Sequence, residues 1–181
     1  MVGCAARDAG AGVLLAKDEA LALAFPEAER VEERVVLLTA AQKAEVERRA
    51  GSALESQLWT IHVGWRGGAV LGYAIIDTHV VRTLPEAFMV VLEPNGAVRR
   101  VEILAFYEPP EYMPSGRWIA QFEGRALDAD LALRRGIQGI TGATLSATAM
   151  TAGVRRALAL FAVAVGGAGP TPAAPTPAGQ G

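Results

Sequence analysis

The chain has 181 residues, of which 51% are apolar and 20% charged, with a formal net charge of −2. That length supports one domain with a proper core and leaves little room for a second. The near-neutral balance and the lack of a basic stripe argue against a nucleic-acid surface. The single cysteine, Cys4, excludes an internal disulfide framework and a Cys-rich metal site.

Lysine occurs only at Lys17 and Lys43, so nearly all the positive charge is arginine. With abundant Ala and Gly, this reads as coding bias and not as a functional patch. Cys4 stands in Met1-Val2-Gly3-Cys4-Ala5, which is similar to the end of a bacterial lipobox. No charged and apolar segments of a lipoprotein signal stand ahead of it in this sequence. Two readings stand: an incidental residue, or a start inside a longer precursor whose mature form is tethered by lipid on Cys4.

Residues 1–16 read as a flexible spacer, 17–165 as a single domain, and 166–181 as a disordered Pro/Ala/Gly-rich tail. Asp18 can cap a short helix that stops before Pro26. Val31 to Leu38 is β-prone. Thr39 with Gln42 fits a capping box, and Gly51 supplies a C-terminal stop for a charged, solvated helix from Ala40 to Ala50.

From Leu58 the pattern turns to β. Leu58 to Trp65 and Ala69 to Ile76 flank the turn Arg66-Gly67-Gly68. Alternation puts Trp59, Ile61, Val63 and Trp65 on one face, Thr60 and His62 on the other. Asp77-Thr78-His79 is expected to bend the chain toward Pro85. Ala87 to Leu92 and Val98 to Phe106 flank the turn Glu93-Pro94-Asn95-Gly96. Four strands in succession most simply form an antiparallel meander, buried on both faces at its middle. The fold expected is α+β, a twisted antiparallel β-sheet packed by helices.

Trp118 and Phe122 lie four apart and share one face of a short helix, which suits the core. Asp128 and Asp130 read as solvated carboxylates, without a geometric partner for acid–base work. His62 and His79 are not at ligand spacing, and no metal set is visible. No Gly-x-Ser-x-Gly, Walker loop or ordered dinucleotide fingerprint occurs. The closing helix, from about Ser146 to Val165, carries Val154, Leu158, Phe161 and Val165 on one stripe, with Arg155 and Arg156 pointing elsewhere. Its apolar end, Ala157 to Val165, is shorter than the roughly twenty residues that cross a bilayer. It should pack on the sheet and place Thr144 at the sheet's rim.

Between Gly136-Ile137-Gln138-Gly139-Ile140 and that helix stands Thr141-Gly142-Ala143-Thr144-Leu145-Ser146. Gly142 permits backbone forms that a Cβ disfavours, and Thr144 and Ser146 are capping types. Local physics leaves two readings: a loop with a capped helix, or a helix N-terminus whose free N–H groups receive a phosphate.

This stretch resembles the flavinylation motif of the FMN-binding domain family, Asp-x-x-Ser/Thr-Gly-Ala-Thr-x-Ser/Thr. That family includes the peripheral flavin subunits of Rnf and Na⁺-translocating NADH:quinone reductase complexes. A second piece lies upstream: Glu108-Pro109-Pro110-Glu111, then Trp118-Ile119-Ala120-Gln121-Phe122-Glu123-Gly124, is similar to the family's Glu-Thr-Pro-Gly and Trp-Ile/Leu-x-x-Phe-x-Gly. The resemblance spans roughly residues 58–162. It implies FMN as cofactor, attached through a phosphoester to Thr144 by a separate flavin transferase. Thr141, Gly142, Ala143, Leu145 and Ser146 occupy motif positions beside it, and Glu108 stands as a flavin-side residue or a plain turn Glu. Gln138 replaces the family Asp.

The resemblance further implies an electron carrier or redox-complex subunit in place of an independent enzyme, with redox partner proteins and a membrane electron-transfer complex as partners. It also implies an extracytoplasmic, membrane-associated location. Two other readings remain: a non-covalent FMN-binding sensor, which Gln138 favours, and a flavin-free structural or assembly module.

Overall fold

The computed structural model describes residues 12–81 and 84–166. Cys4 and the tail beyond Gly166 lie outside the described residues.

Six strands form one sheet: β1 (Gly12–Val13), β2 (Arg30–Leu37), β3 (Leu58–Arg66), β4 (Ala69–Val80), β5 (Pro85–Leu92) and β6 (Val98–Phe106). Their order is β1-β6-β5-β4-β3-β2, each neighbour antiparallel. The meander expected from Leu58 to Phe106 is therefore present, extended at one edge by β2. The other edge carries a correction. Residues read as spacer close the sheet, with Gly12 opposite Phe106 and Val13 opposite Ala105.

A second correction concerns Asp77-Thr78-His79. These residues continue β4, because β5 pairs with them residue by residue: Asp77 with Phe88, Thr78 with Ala87, His79 with Glu86. Backbone pairing outweighs the weak local turn signal.

Two faces of the sheet are covered. On one, α1 (Lys17–Ala24) sets Ala20, Leu21 and Ala24 against Ala74, Met89, Val91 and Leu104. On the other, α2 (Ala40–Ala50) and α4 (Thr144–Ala164) bury Val46, Met150, Val154 and Leu158 with Ile61, Val63, Phe88 and Val90. Burial on both sides explains the unbroken apolar run of β5. By contrast β2, an edge strand, alternates half-buried and exposed positions from Val31 onward and leaves Val35 and Leu37 exposed.

The helix ends follow local chemistry. Thr39 accepts from the Gln42 N–H while Gln42 accepts from the Thr39 N–H, and Gly51 ends α2 at φ 72°. α4 is long and apolar enough to be a membrane span by length and composition, yet more than half of it is buried inside this fold. It is packed as a core helix.

Candidate functional site

The loop that enters α4 is built by a series of short-range contacts. Asp128 accepts from the N–H groups of Asp130 (2.8 Å) and Leu131 (2.7 Å), which makes it a turn-forming group. Gly136 donates to Asp130 O, and a Cβ there would lie 2.4 Å from that same oxygen. A short α3 (Gly116–Ile119) and the following turn hold the next residues. Trp118 Nε1 donates to Gln138 O at 2.6 Å, and Gln121 Oε1 accepts from the Gln138 N–H at 2.8 Å. Trp118 also meets Phe122 edge to face, with 5.4 Å between ring centroids, so both are core residues as their spacing predicts. Gln138 is thus clamped by its backbone, while the residue as a whole stays exposed.

Past this clamp, Gly142 takes a left-handed φ of 84° and Ala143 becomes the N-cap of α4. The expectation that Thr144 or Ser146 caps the helix is corrected. The chain enters the helix earlier, Thr144 is its first residue, and no side chain caps it. Both α2 and α3 are capped by a hydroxyl, Thr39 and Ser115. α4 alone among these three offers an uncapped first turn, with its N–H groups and the positive end of its dipole at the surface.

A cleft of about 240 Å³ opens at this point, lined by Tyr112, Gly142, Ala143, Thr144, Leu145 and Ser146. Thr144 is exposed, Leu145 is half exposed, and Ala143 and Ser146 are buried in the floor. Thr144 O accepts from the Thr148 hydroxyl at 2.8 Å, so its carbonyl is engaged inside the helix. No charged side chain lines the cleft. The positive character of the cleft comes from the backbone N–H groups of the first helical turn.

Five of the seven residues expected at the site line one cleft. Thr141 stands exposed just before them and is not part of the lining. Glu108 is buried after β6 and accepts from the Leu84 N–H at 3.2 Å, outside the cleft lining. Tyr112, from the turn after Glu108, is the residue of that segment that reaches the cleft.

The FMN-binding domain matches residues 85–159. This FMN-binding domain match takes in β5, β6, the Glu108 turn, the clamped loop and α4 as far as Ala159. It is narrower than the resemblance at the front, since the β3–β4 hairpin precedes it. The match suggests that the chain binds flavin. No curated protein matches the chain.

Away from the cleft lies a polar cluster that the sequence did not reveal. Arg156 of α4 donates to both carboxylate oxygens of Asp77, and His79 Nδ1 lies 2.8 Å from Asp77 Oδ1. Burial would raise the Asp77 pKa, but the hydrogen bonds from His79 and Arg156 outweigh it and hold it below its ordinary value. Glu86 stands beside His79 at 3.8 Å, fully buried, and burial raises it to about 7. Arg155, also read as pointing away, donates to the carbonyls of Ala50 and Leu131 and ties α4 to α2 and the loop. Among the described residues no group of His, Cys, Asp and Glu is arranged to hold a metal ion.

Proposed function

We propose that the chain is a flavin-carrying electron-transfer protein in which FMN is joined through a phosphoester to the Thr144 hydroxyl. The observation that carries this reading is the exposed Thr144 at the first position of a helix that no side chain caps. The hydroxyl stands where the N–H groups of the first turn can bind the phosphate, and the dipole offsets its remaining charge. The flavin ring supplies the redox chemistry when bound. The protein's part is to hold the phosphate end and set the exposure of the ring.

The size of the cleft supports a carrier. At about 240 Å³ it is smaller than the roughly 300–1,000 Å³ of pockets that enclose a drug-sized ligand. It suits the phosphate end of the cofactor, and a ring attached there would lie largely outside the cleft. Tyr112 and Leu145, which line the cleft, would be the side chains to cover part of one ring face. No acid, base and nucleophile converge here, so Thr144 is an attachment point and the bond is made by a separate flavin transferase. A redox partner and a membrane-associated, extracytoplasmic setting complete this reading, because a covalent cofactor is not lost by dissociation.

A second reading is non-covalent FMN binding. Gln138 favours it, since a neutral amide replaces the carboxylate of the flavinylation motif. The deciding experiment is intact mass under denaturing conditions after co-expression with an active flavin transferase. A gain of FMN less water, mapped to the Thr144 peptide, supports covalent attachment. Unmodified but yellow native protein supports the second reading, and colourless protein overturns both.

A further inference from the structure

The hydrogen-bonded ladder between β3 and β4 stops before the strands do. It runs from the turn to Ile61 opposite Ile75, whereas β3 begins at Leu58 and β4 continues to Val80. Each strand remains paired on its other side, β3 with β2 down to Leu58 and β4 with β5 out to Val80. The two strands therefore part like a wedge: at Leu58 the Ser56 hydroxyl takes the backbone N–H and C=O, and Thr60 and Ile76 are the first residues past the end of the ladder. A cavity of about 400 Å³ occupies it, within the range of pockets that enclose small ligands.

The wedge is built and not merely open. Leu54, Trp59 and Ile76 give it apolar walls, and His62 is part of the lining. His62 is buried with no hydrogen-bond partner at Nδ1, and burial lowers its pKa, so it stands as neutral imidazole. The cations of the lining are already engaged, Lys17 with Glu33 and Arg156 with Asp77. No free cation of the lining is left to call for an anion, and the lining carboxylate outside these pairs, Glu55, is solvent-exposed.

These features select a ligand chemistry. Strand amide and carbonyl groups point within the plane of the sheet. A ligand that satisfies two facing strand edges needs its own donors and acceptors in one plane. A peptide strand running through the gap is blocked where the ladder closes at Ile61 and Ile75. We propose that the wedge between β3 and β4 is a binding site for a flat, uncharged heterocycle with an amide-type edge, of nucleobase to pteridine size. It lies beside Arg156, twelve residues along α4 from Thr144, about 18 Å at 1.5 Å per residue. It is a separate site and does not rest on the flavin reading.

The test is a fluorescence titration of flavin-free protein with lumazine, an uncharged pteridinedione. Saturable one-to-one binding is expected. Thr78→Trp, at an exposed position of the lining, should weaken it at least tenfold by filling the wedge, whereas Thr78→Ser and Thr144→Ala should leave it unchanged. Thermal melting of each variant confirms that the fold is kept, and lumazine should raise the Tm of the parent and not of Thr78→Trp. The proposal is overturned by an absence of saturable binding, or by binding that Thr78→Trp leaves intact. Loss of binding in Thr144→Ala also overturns it, by assigning the ligand to the flavin cleft.

Discussion

Arg156 and Asp77 meet in a two-pronged ion pair, with 2.8 Å on each arm, between the middle of α4 and the middle of the sheet. One turn earlier, Gly153 brings the helix so close to β5 that a Cβ there would lie 2.4 Å from the Phe88 ring. The two contacts fix where α4 sits. Its first turn, at Thr144, is then held at the rim where the clamped loop delivers it. A functional site at one end of a helix depends on buried contacts at its centre.

The ion pair predicts a large penalty for removing one partner. Arg156→Leu leaves the Asp77 carboxylate buried without its cation, which costs about 3–5 kcal/mol for pairs of this kind. Asp77→Asn in the same chain should recover much of that loss. Urea unfolding of the single and double variants measures both. Equal destabilisation by the single and double changes would show that packing, and not charge, is responsible.

Gly153→Ala tests the close approach. Ala favours an exposed helix by roughly 1 kcal/mol over Gly, so an unconstrained position would gain stability. Against Phe88 the added methyl overpacks the core, and a net loss of about 1–3 kcal/mol is expected. Phe88→Leu beside it should relieve the strain. A stability gain in Gly153→Ala alone would contradict the contact.

The fold was legible wherever the signal was local. Alternation marked β3, apolar runs between turn signals marked β4 to β6, the Thr39–Gln42 box and Gly51 bounded α2, and the Thr144 stretch carried its own motif. What escaped were relations between distant segments. The pairing of Gly12–Val13 with β6 joins residues with no strand pattern of their own. Asp77 and His79 were read as a bend because nothing near them shows that β5 will pair there. The start of α4 was misplaced because Gly142 turns the chain into the helix before a hydroxyl can cap it. Glu108 had the right sequence neighbours, yet the turn it occupies brings Tyr112 to the cleft and leaves Glu108 on the Leu84 N–H.

Attachment at Thr144 predicts a simple chemical series. Thr144→Ser keeps a hydroxyl at the first helical position and should retain covalent flavin. Thr144→Ala should abolish it with the fold intact, since the residue is exposed and its side chain caps nothing. Covalent flavin retained in Thr144→Ala sinks the assignment.

Gln138→Asp tests the departure from the motif. The backbone of Gln138 is clamped by Trp118 and Gln121 while the residue is exposed, so the substitution should leave the loop in place. If the missing carboxylate limits recognition by the transferase, the modified fraction rises. An unchanged fraction by mass spectrometry shows that glutamine is tolerated.

Glu86 predicts a pH dependence with a defined sign. Burial, aided by the charge of Asp77, raises its pKa from 4.5 to about 7, and neighbouring His79 opposes the shift. Neither carboxylate oxygen has a hydrogen-bond partner among the described residues. A carboxyl that holds its proton more tightly when folded favours the native state at low pH. That advantage is complete below about pH 4.5, declines as pH rises, and is gone above about 7. The full swing is at most about 3 kcal/mol for a shift of this size. Glu86→Gln keeps the neutral form at every pH, so its stability relative to the parent should be flat at low pH and rise toward pH 8. Taking the difference between the two proteins cancels the opposite trend from buried His62, which loses stability as pH falls. Urea unfolding at pH 5, 6.5 and 8 measures it. A difference that does not grow with pH would mean that Glu86 is ionised throughout and that its charge is compensated in the folded protein.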